Sequence, residues 1–137
     1  FEHRHRIIYS RMEHVRDLDE IQHVSVRETL KFMKISEGME IHHDGDLPAR
    51  TGLGSSSSFT VGLLHALYTL KGIKPDKMRL AREAIYIEQE LNKEHVGCQD
   101  QILASLGGFN RIDFYGDNNF LPVRLTVSQD KLKLFEK

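Results

Sequence analysis

The chain has 137 residues, 39% of them hydrophobic, with 19 Lys and Arg against 20 Asp and Glu for a net charge of −1. That length holds one domain with a real core and leaves little room for two. The near-neutral balance argues against a dedicated nucleic-acid binder, which shows a basic excess, and no apolar run approaches the ~20 residues that cross a bilayer, so neither nucleic acid nor membrane is an expected partner. Cys98 is the single cysteine, so no internal disulfide can form and a reducing cytoplasm is the expected compartment. The opening residues Phe1-Glu2-His3-Arg4-His5-Arg6 contain no signal-peptide core and no initiator Met, and the chain reads as a piece of something longer.

In chain order, Arg6 to Tyr9 make a short strand. Asp17 to Glu20 offer a helix start, with Ile21, Val24, Leu30 and Met33 as an imperfect apolar face running to Ile35. After Gly38, Met39, Ile41 and His43 alternate with Glu40, His42 and Asp44, the period of a half-buried strand. A loop of small residues follows from Asp46 to Ser58. Phe59, Leu63, Ala66, Leu67 and Leu70 then repeat at helical spacing until Gly72. Pro75-Asp76 opens a second strong helix with Ala81, Ala84, Ile85 and Leu91 on its apolar face. A shorter helix is expected over Gln99 to Leu106, stopped by Gly107-Gly108. Two strands, Phe109 to Tyr115 and Phe120 to Val127, join at Gly116-Asp117-Asn118-Asn119, with Pro122 marking an edge position. Leu132 and Leu134 look like the start of one more strand. The class is α+β.

The chemistry concentrates in the loop. A Gly/Ser loop leading from a strand into a long helix aims several backbone N–H groups one way, and the helix dipole adds to them, so it suits an anion and above all a polyphosphate. It is not a Walker A loop, since no Lys lies between Pro48 and Ser58. Nor is it a nucleophile elbow or a dinucleotide fingerprint. The alternative is a serine-rich cap on a buried helix.

Two carboxylates follow. Glu88 lies four residues after Ala84 and three before Leu91, on the apolar stripe of its helix, whereas Glu83 and Glu90 lie off it as solvated charges. An ionised carboxylate there is costly unless it reaches water at the stripe's edge, pairs with an Arg or faces a metal. With the loop nearby, Mg²⁺ is the favoured partner, because that ion is held by one or two carboxylates plus phosphate oxygens. Asp100 falls in the first turn of the next helix, a position where acidic residues are also common for dipole reasons alone. The eight histidines show no zinc spacing, and Cys98 has no partner thiol.

The stretch Pro48-Ala49-Arg50-Thr51-Gly52-Leu53-Gly54-Ser55-Ser56-Ser57 resembles the second signature of the GHMP small-molecule kinases. Gly97-Cys98-Gln99-Asp100-Gln101 is similar to the Gly-x-x-Asp-Gln segment of their galactokinase-like members. The resemblance implies a GHMP-kinase N-terminal domain, of the ribosomal protein S5 domain 2-like fold. Its central and later part would span 1–128 and a truncated start of the C-terminal domain 129–137. The first strands and the ferredoxin-like C-terminal domain would be lacking. It implies ATP and Mg²⁺ as cofactors, with Pro48, Arg50, Gly52, Leu53, Gly54, Ser55, Ser56 and Ser57 around the nucleotide. It further implies Ser56 and Glu88 as metal ligands, and Asp100 as the catalytic residue that orients or deprotonates the acceptor hydroxyl.

From Tyr9 to Phe114 the chain is most similar to the branch of bacterial sugar kinases that phosphorylate the C1 hydroxyl of D-glycero-D-manno-heptose 7-phosphate. That similarity implies ATP and a sugar phosphate as partners and a cytoplasmic enzyme; a homodimer stays open. So do a non-catalytic nucleotide- and sugar-binding regulatory relative and a family member acting on another sugar or an isoprenoid alcohol. The family's first and third signatures are absent, which leaves open whether the 137 residues are active alone.

Overall fold

Residues 4–45 and 52–135 are described by the structure, a computed structural model. A tight turn folds β1 (His5–Ile8) back onto β2 (Met12–Val15), a strand the sequence pattern did not announce because none of its residues is buried. The chain then crosses through a 3-10 turn (Leu18–Glu20) and α1 (Val24–Phe32) and returns as β3 (Glu40–His42), parallel to β1 with Ile7 opposite Ile41. The sheet order is therefore β2-β1-β3.

The helix expected from Asp17 divides in two. Asp17 and Glu20 form a capping box around the 3-10 turn, and α1 restarts with His23 as its N-cap. That break turns the inward face onto Val26 and Leu30, both fully buried, and leaves Val24 exposed.

α2 (Ser55–Leu70) starts four residues earlier than its apolar repeat indicates, so the serines are its first turn rather than the end of a loop. It packs against α1, α3 (Lys77–Tyr86) and α4 (Gln99–Leu106), which makes it buried on two sides. Its inward residues are Ser57, Thr60, Val61, Leu64 and Tyr68 together with Leu63 and Leu67, while Ala66 and Leu70 are exposed. α3 begins at Asp76, whose side chain accepts from the Arg79 N–H at 2.8 Å. Glu83 is not simply solvated: it accepts from the Tyr68 hydroxyl at 2.6 Å and pairs with Arg79 at 2.8 Å.

Two apolar cores result. One joins the sheet to α1 and α2 through Ile7, Leu30, Ile41, Leu64 and Leu67, with Ile87 alongside. The other sits under α3 and α4, where Ala81, Ile85 and Ile102 meet Phe120. Phe120 comes from a hairpin of β4 (Asn110–Gly116) and β5 (Asn119–Arg124). The next residue of β5, Leu121, is exposed on the opposite face. The last segment corrects the expectation of a strand at Leu132 and Leu134: it is α5 (Gln129–Phe135), with Asp130 in its first turn and Lys133 in its last, as the helix dipole favours. Two alternating leucines are too few to fix a period, and Leu134 is 70% exposed, so no sheet face called for it.

Candidate active site

The site is built where α2 begins. Gly54, its N-cap, has φ +70°, a left-handed conformation that glycine adopts without cost. A Cβ at Gly54 would also lie 3.1 Å from both Cγ and Oδ2 of Asp100, so the glycine is required twice. This close approach joins the phosphate-type loop to the first turn of α4. No side chain caps α2, which leaves the backbone N–H groups of its first turn open to a ligand. A cleft of about 350 Å³ opens there, lined by Gly52, Gly54, Ser55, Ser56 and Ser57 on one side and by Gly97, Gln99 and Asp100 on the other. Asp100 is exposed to it, as is Ser56. Leu53, 65% exposed, lines a second and larger cleft instead. Pro48 and Arg50, expected around the nucleotide, lie outside the described residues.

Glu88 has a different setting. After Tyr86 the helix widens into a π-helical turn, Ile87–Leu91, with Asn92 N–H donating to the Ile87 carbonyl at 2.8 Å and Glu94 N–H to the Glu88 carbonyl at 2.9 Å. Such turns interrupt an α-helix where a side chain must be re-aimed. Glu88 is 0% exposed, as its place on the apolar stripe requires. Its Oε2 accepts from the Ser57 hydroxyl at 2.8 Å and from the Gln101 side-chain amide. Its Oε1 is buried with no hydrogen-bond partner among the described residues. A buried carboxylate oxygen left unpaired is expensive, and a hard, oxygen-preferring cation would satisfy it. The donor set therefore fits Mg²⁺. The serine that hydrogen-bonds Glu88 is Ser57, while Ser56, the expected metal ligand, is exposed on the cleft that Ser57 also lines. Among the described residues no group of three or more His, Cys, Asp and Glu side chains is placed to hold a metal ion.

A second cleft, of about 610 Å³, lies on the other side of the same helical turn and also reaches Ser55 and Ser58. Its wall is aromatic: the His43 and Phe59 rings stack at 4.0 Å, and Tyr9 meets His23 edge-on at 4.8 Å. Burial first, and the neighbouring His43 second, hold the His23 imidazole below its usual pKa. Sequence reasoning missed this wall, because its four rings come from four separate segments. It also missed Gln101, although Gln101, Ile102 and Ser105 mark the buried face of α4 at helical spacing.

Against known proteins, residues 21–108 match the GHMP kinases N terminal domain. The chain belongs to the GHMP kinase family, and its α+β architecture is that family's N-terminal domain. D-glycero-alpha-D-manno-heptose 7-phosphate kinase of Campylobacter jejuni is 31% identical over 110 residues, covering 79% of this chain and 32% of that protein. A crystal structure described as a D-glycero-D-manno-heptose 1-phosphate kinase from Bacteriodes thetaiotaomicron superposes with a TM-score of 0.84 at 20% identity, covering 94% of this chain and 46% of that one. The chain thus spans less than half the length of either protein. No helix among the described residues is long and apolar enough to cross a membrane.

Proposed function

We propose that the protein containing this chain is an ATP- and Mg²⁺-dependent kinase of a sugar phosphate, transferring the γ-phosphoryl group to the C1 hydroxyl of D-glycero-D-manno-heptose 7-phosphate to give the 1,7-bisphosphate. The observation that supports it best is the contact of Asp100 with Gly54, which sets an exposed carboxylate beside an uncapped helix N-terminus. The kinship with proteins named as heptose phosphate kinases supports the choice of sugar.

In this reading the first turn of α2 is a ridge between two clefts. The aromatic cleft of Tyr9, His23, His43 and Phe59 takes the adenine, whose flat face suits stacked rings. The N–H groups of Ser55, Ser56 and Ser57 hold the phosphates along the ridge. Ser56 and Ser55 offer hydroxyls to phosphate oxygens, and Glu88 with Ser57 forms the floor that holds Mg²⁺. Bound there, the ion would neutralise phosphate charge. Asp100 accepts a hydrogen bond from the acceptor hydroxyl in the smaller cleft and takes its proton as the oxygen bonds to phosphorus and ADP leaves. Most of the catalysis is positioning and charge neutralisation. The single unpaired cysteine and the use of ATP agree with a cytoplasmic enzyme.

The test is direct. Full-length protein mixed with ATP, Mg²⁺ and heptose 7-phosphate should release ADP in proportion to sugar, and ³¹P NMR should show a new anomeric phosphate. ATP binding without turnover on any sugar phosphate would replace the kinase by a regulatory relative.

A further inference from the structure

We propose that Gln101 is a positioning residue of the metal site: its side-chain amide holds Glu88 Oε2 so that Oε1 is presented to the cation. The proposal rests on the reading of Glu88 as the metal-holding carboxylate and adds to it the residue that aims it.

Three observations lead there. Gln101 is 1% exposed and Glu88 0%, so the bond between them forms away from water, where a charge-assisted hydrogen bond is at its strongest. The two donors to Glu88, the Ser57 hydroxyl and the Gln101 amide, both converge on Oε2. With both donors on Oε2, the other oxygen, Oε1, is left without a partner among the described residues. Finally, Gln101 Oε1 is itself buried without a partner among the described residues, as Glu88 Oε1 is. A hydrogen-bonded pair that leaves two acceptor oxygens unsatisfied has an arrangement suited to a cation rather than to folding alone, since folding would be served as well by apolar side chains of the same size.

Position along the chain gives the contact its consequence. Gln101 directly follows Asp100 in the first turn of α4. One short segment therefore presents the exposed carboxylate to the cleft and, with the next side chain, grips the buried one. The metal floor and the acceptor-binding group are tied to each other through two adjacent residues, and a shift of α4 would move both.

The experiment uses the full-length protein and Mn²⁺ as the probe, with free Mn²⁺ read by electron paramagnetic resonance in the presence of ADP. Gln101→Met, which keeps the length and apolar stem but removes the amide, should weaken Mn²⁺ binding roughly 10- to 100-fold, the range seen when partners of metal ligands are lost. In turnover assays it should raise the Mg²⁺ concentration needed for half-maximal rate, with KM for the sugar phosphate unchanged and kcat restored at high Mg²⁺. A structural role alone would not give that restoration. Gln101→Asn, with its amide one methylene short, should fall between wild type and Gln101→Met, and it serves as the measurement if the latter does not fold. Wild-type Mn²⁺ affinity in Gln101→Met or Gln101→Asn overturns the proposal while leaving the kinase reading intact. Wild-type affinity in Glu88→Gln overturns both.

Discussion

Glu88 and Asp100 stand twelve residues apart and are the two carboxylates of the proposed site, yet they are held in opposite ways. Asp100 is exposed in the first turn of α4 and lies so near Gly54 that a Cβ there would come within 3.1 Å of its carboxylate. Glu88 is sealed in the protein, on a widened helical turn, with both donors on one oxygen. The contrast matches the two tasks of the proposed reading. A group that would meet a diffusing substrate is kept in the open, and a group that would hold a cation is desolvated and fixed by hydrogen bonds, so that an ion could replace the missing water.

The largest effect should break the symmetry of charge between the two. Asp100→Asn is expected to lower kcat by about 10²- to 10⁴-fold, the usual worth of a general acid–base group, with KM for ATP and the melting temperature close to wild type, because the side chain is exposed. Steady-state kinetics and a thermal melt check it, and a wild-type rate would remove Asp100 from the mechanism. Glu88→Gln acts on the other arm: the Mg²⁺ requirement should rise at least about 10-fold, measured by metal titration at fixed ATP. Gly54→Ala probes the seam between them. A methyl at φ +70° and 3.1 Å from Asp100 should cost about 1–3 kcal/mol in urea unfolding and lower kcat by pushing Asp100 out of place.

A smaller effect concerns the aromatic cleft. His23 and His5 both sit below the ordinary imidazole pKa through burial, so the unfolded chain takes up protons more readily than the folded one. Stability is then full above about pH 6.5 and falls as the pH drops toward the depressed folded values. The melting temperature should decline from pH 7.5 to 5.5, and His23→Phe should reduce the decline. The smallest effect is Leu134→Ser on α5, expected to change stability by less than about 0.5 kcal/mol; a larger loss would mean that this residue is covered after all.

Much of this was legible from residue pattern. The apolar spacing of Ala81, Ala84 and Ile85 located α3 and exposed Glu88 as a carboxylate on the wrong face, which its full burial bears out. The Gly/Ser run located the uncapped first turn of α2. What pattern could not supply is anything set by contacts between distant segments. The choice of Ser57 over Ser56 beside Glu88 depends on where the first turn of α2 starts, and that is fixed by the left-handed Gly54 and its contact with Asp100, not by the apolar repeat from Phe59. β2 escaped notice because a four-residue hairpin strand with no buried residue has no hydrophobic signature. β5 is a further case: Phe120 enters the core under α3 and α4 while its neighbour Leu121 is exposed, a choice set by contacts with α3 and α4.

The widened turn at Ile87–Leu91 also bears on how this segment can vary over time. An α-helix advances about 100° per residue, so a turn with one residue too many rotates everything after it relative to everything before. Deleting a single position between Tyr86 and Asn92 would return the helix to regular geometry and swing one side past the other by that angle. Glu88 and Gln101 could not then both keep their places. In the proposed site, therefore, a one-residue deletion within this turn should disturb the Glu88 setting more than a substitution at an exposed position of the same turn.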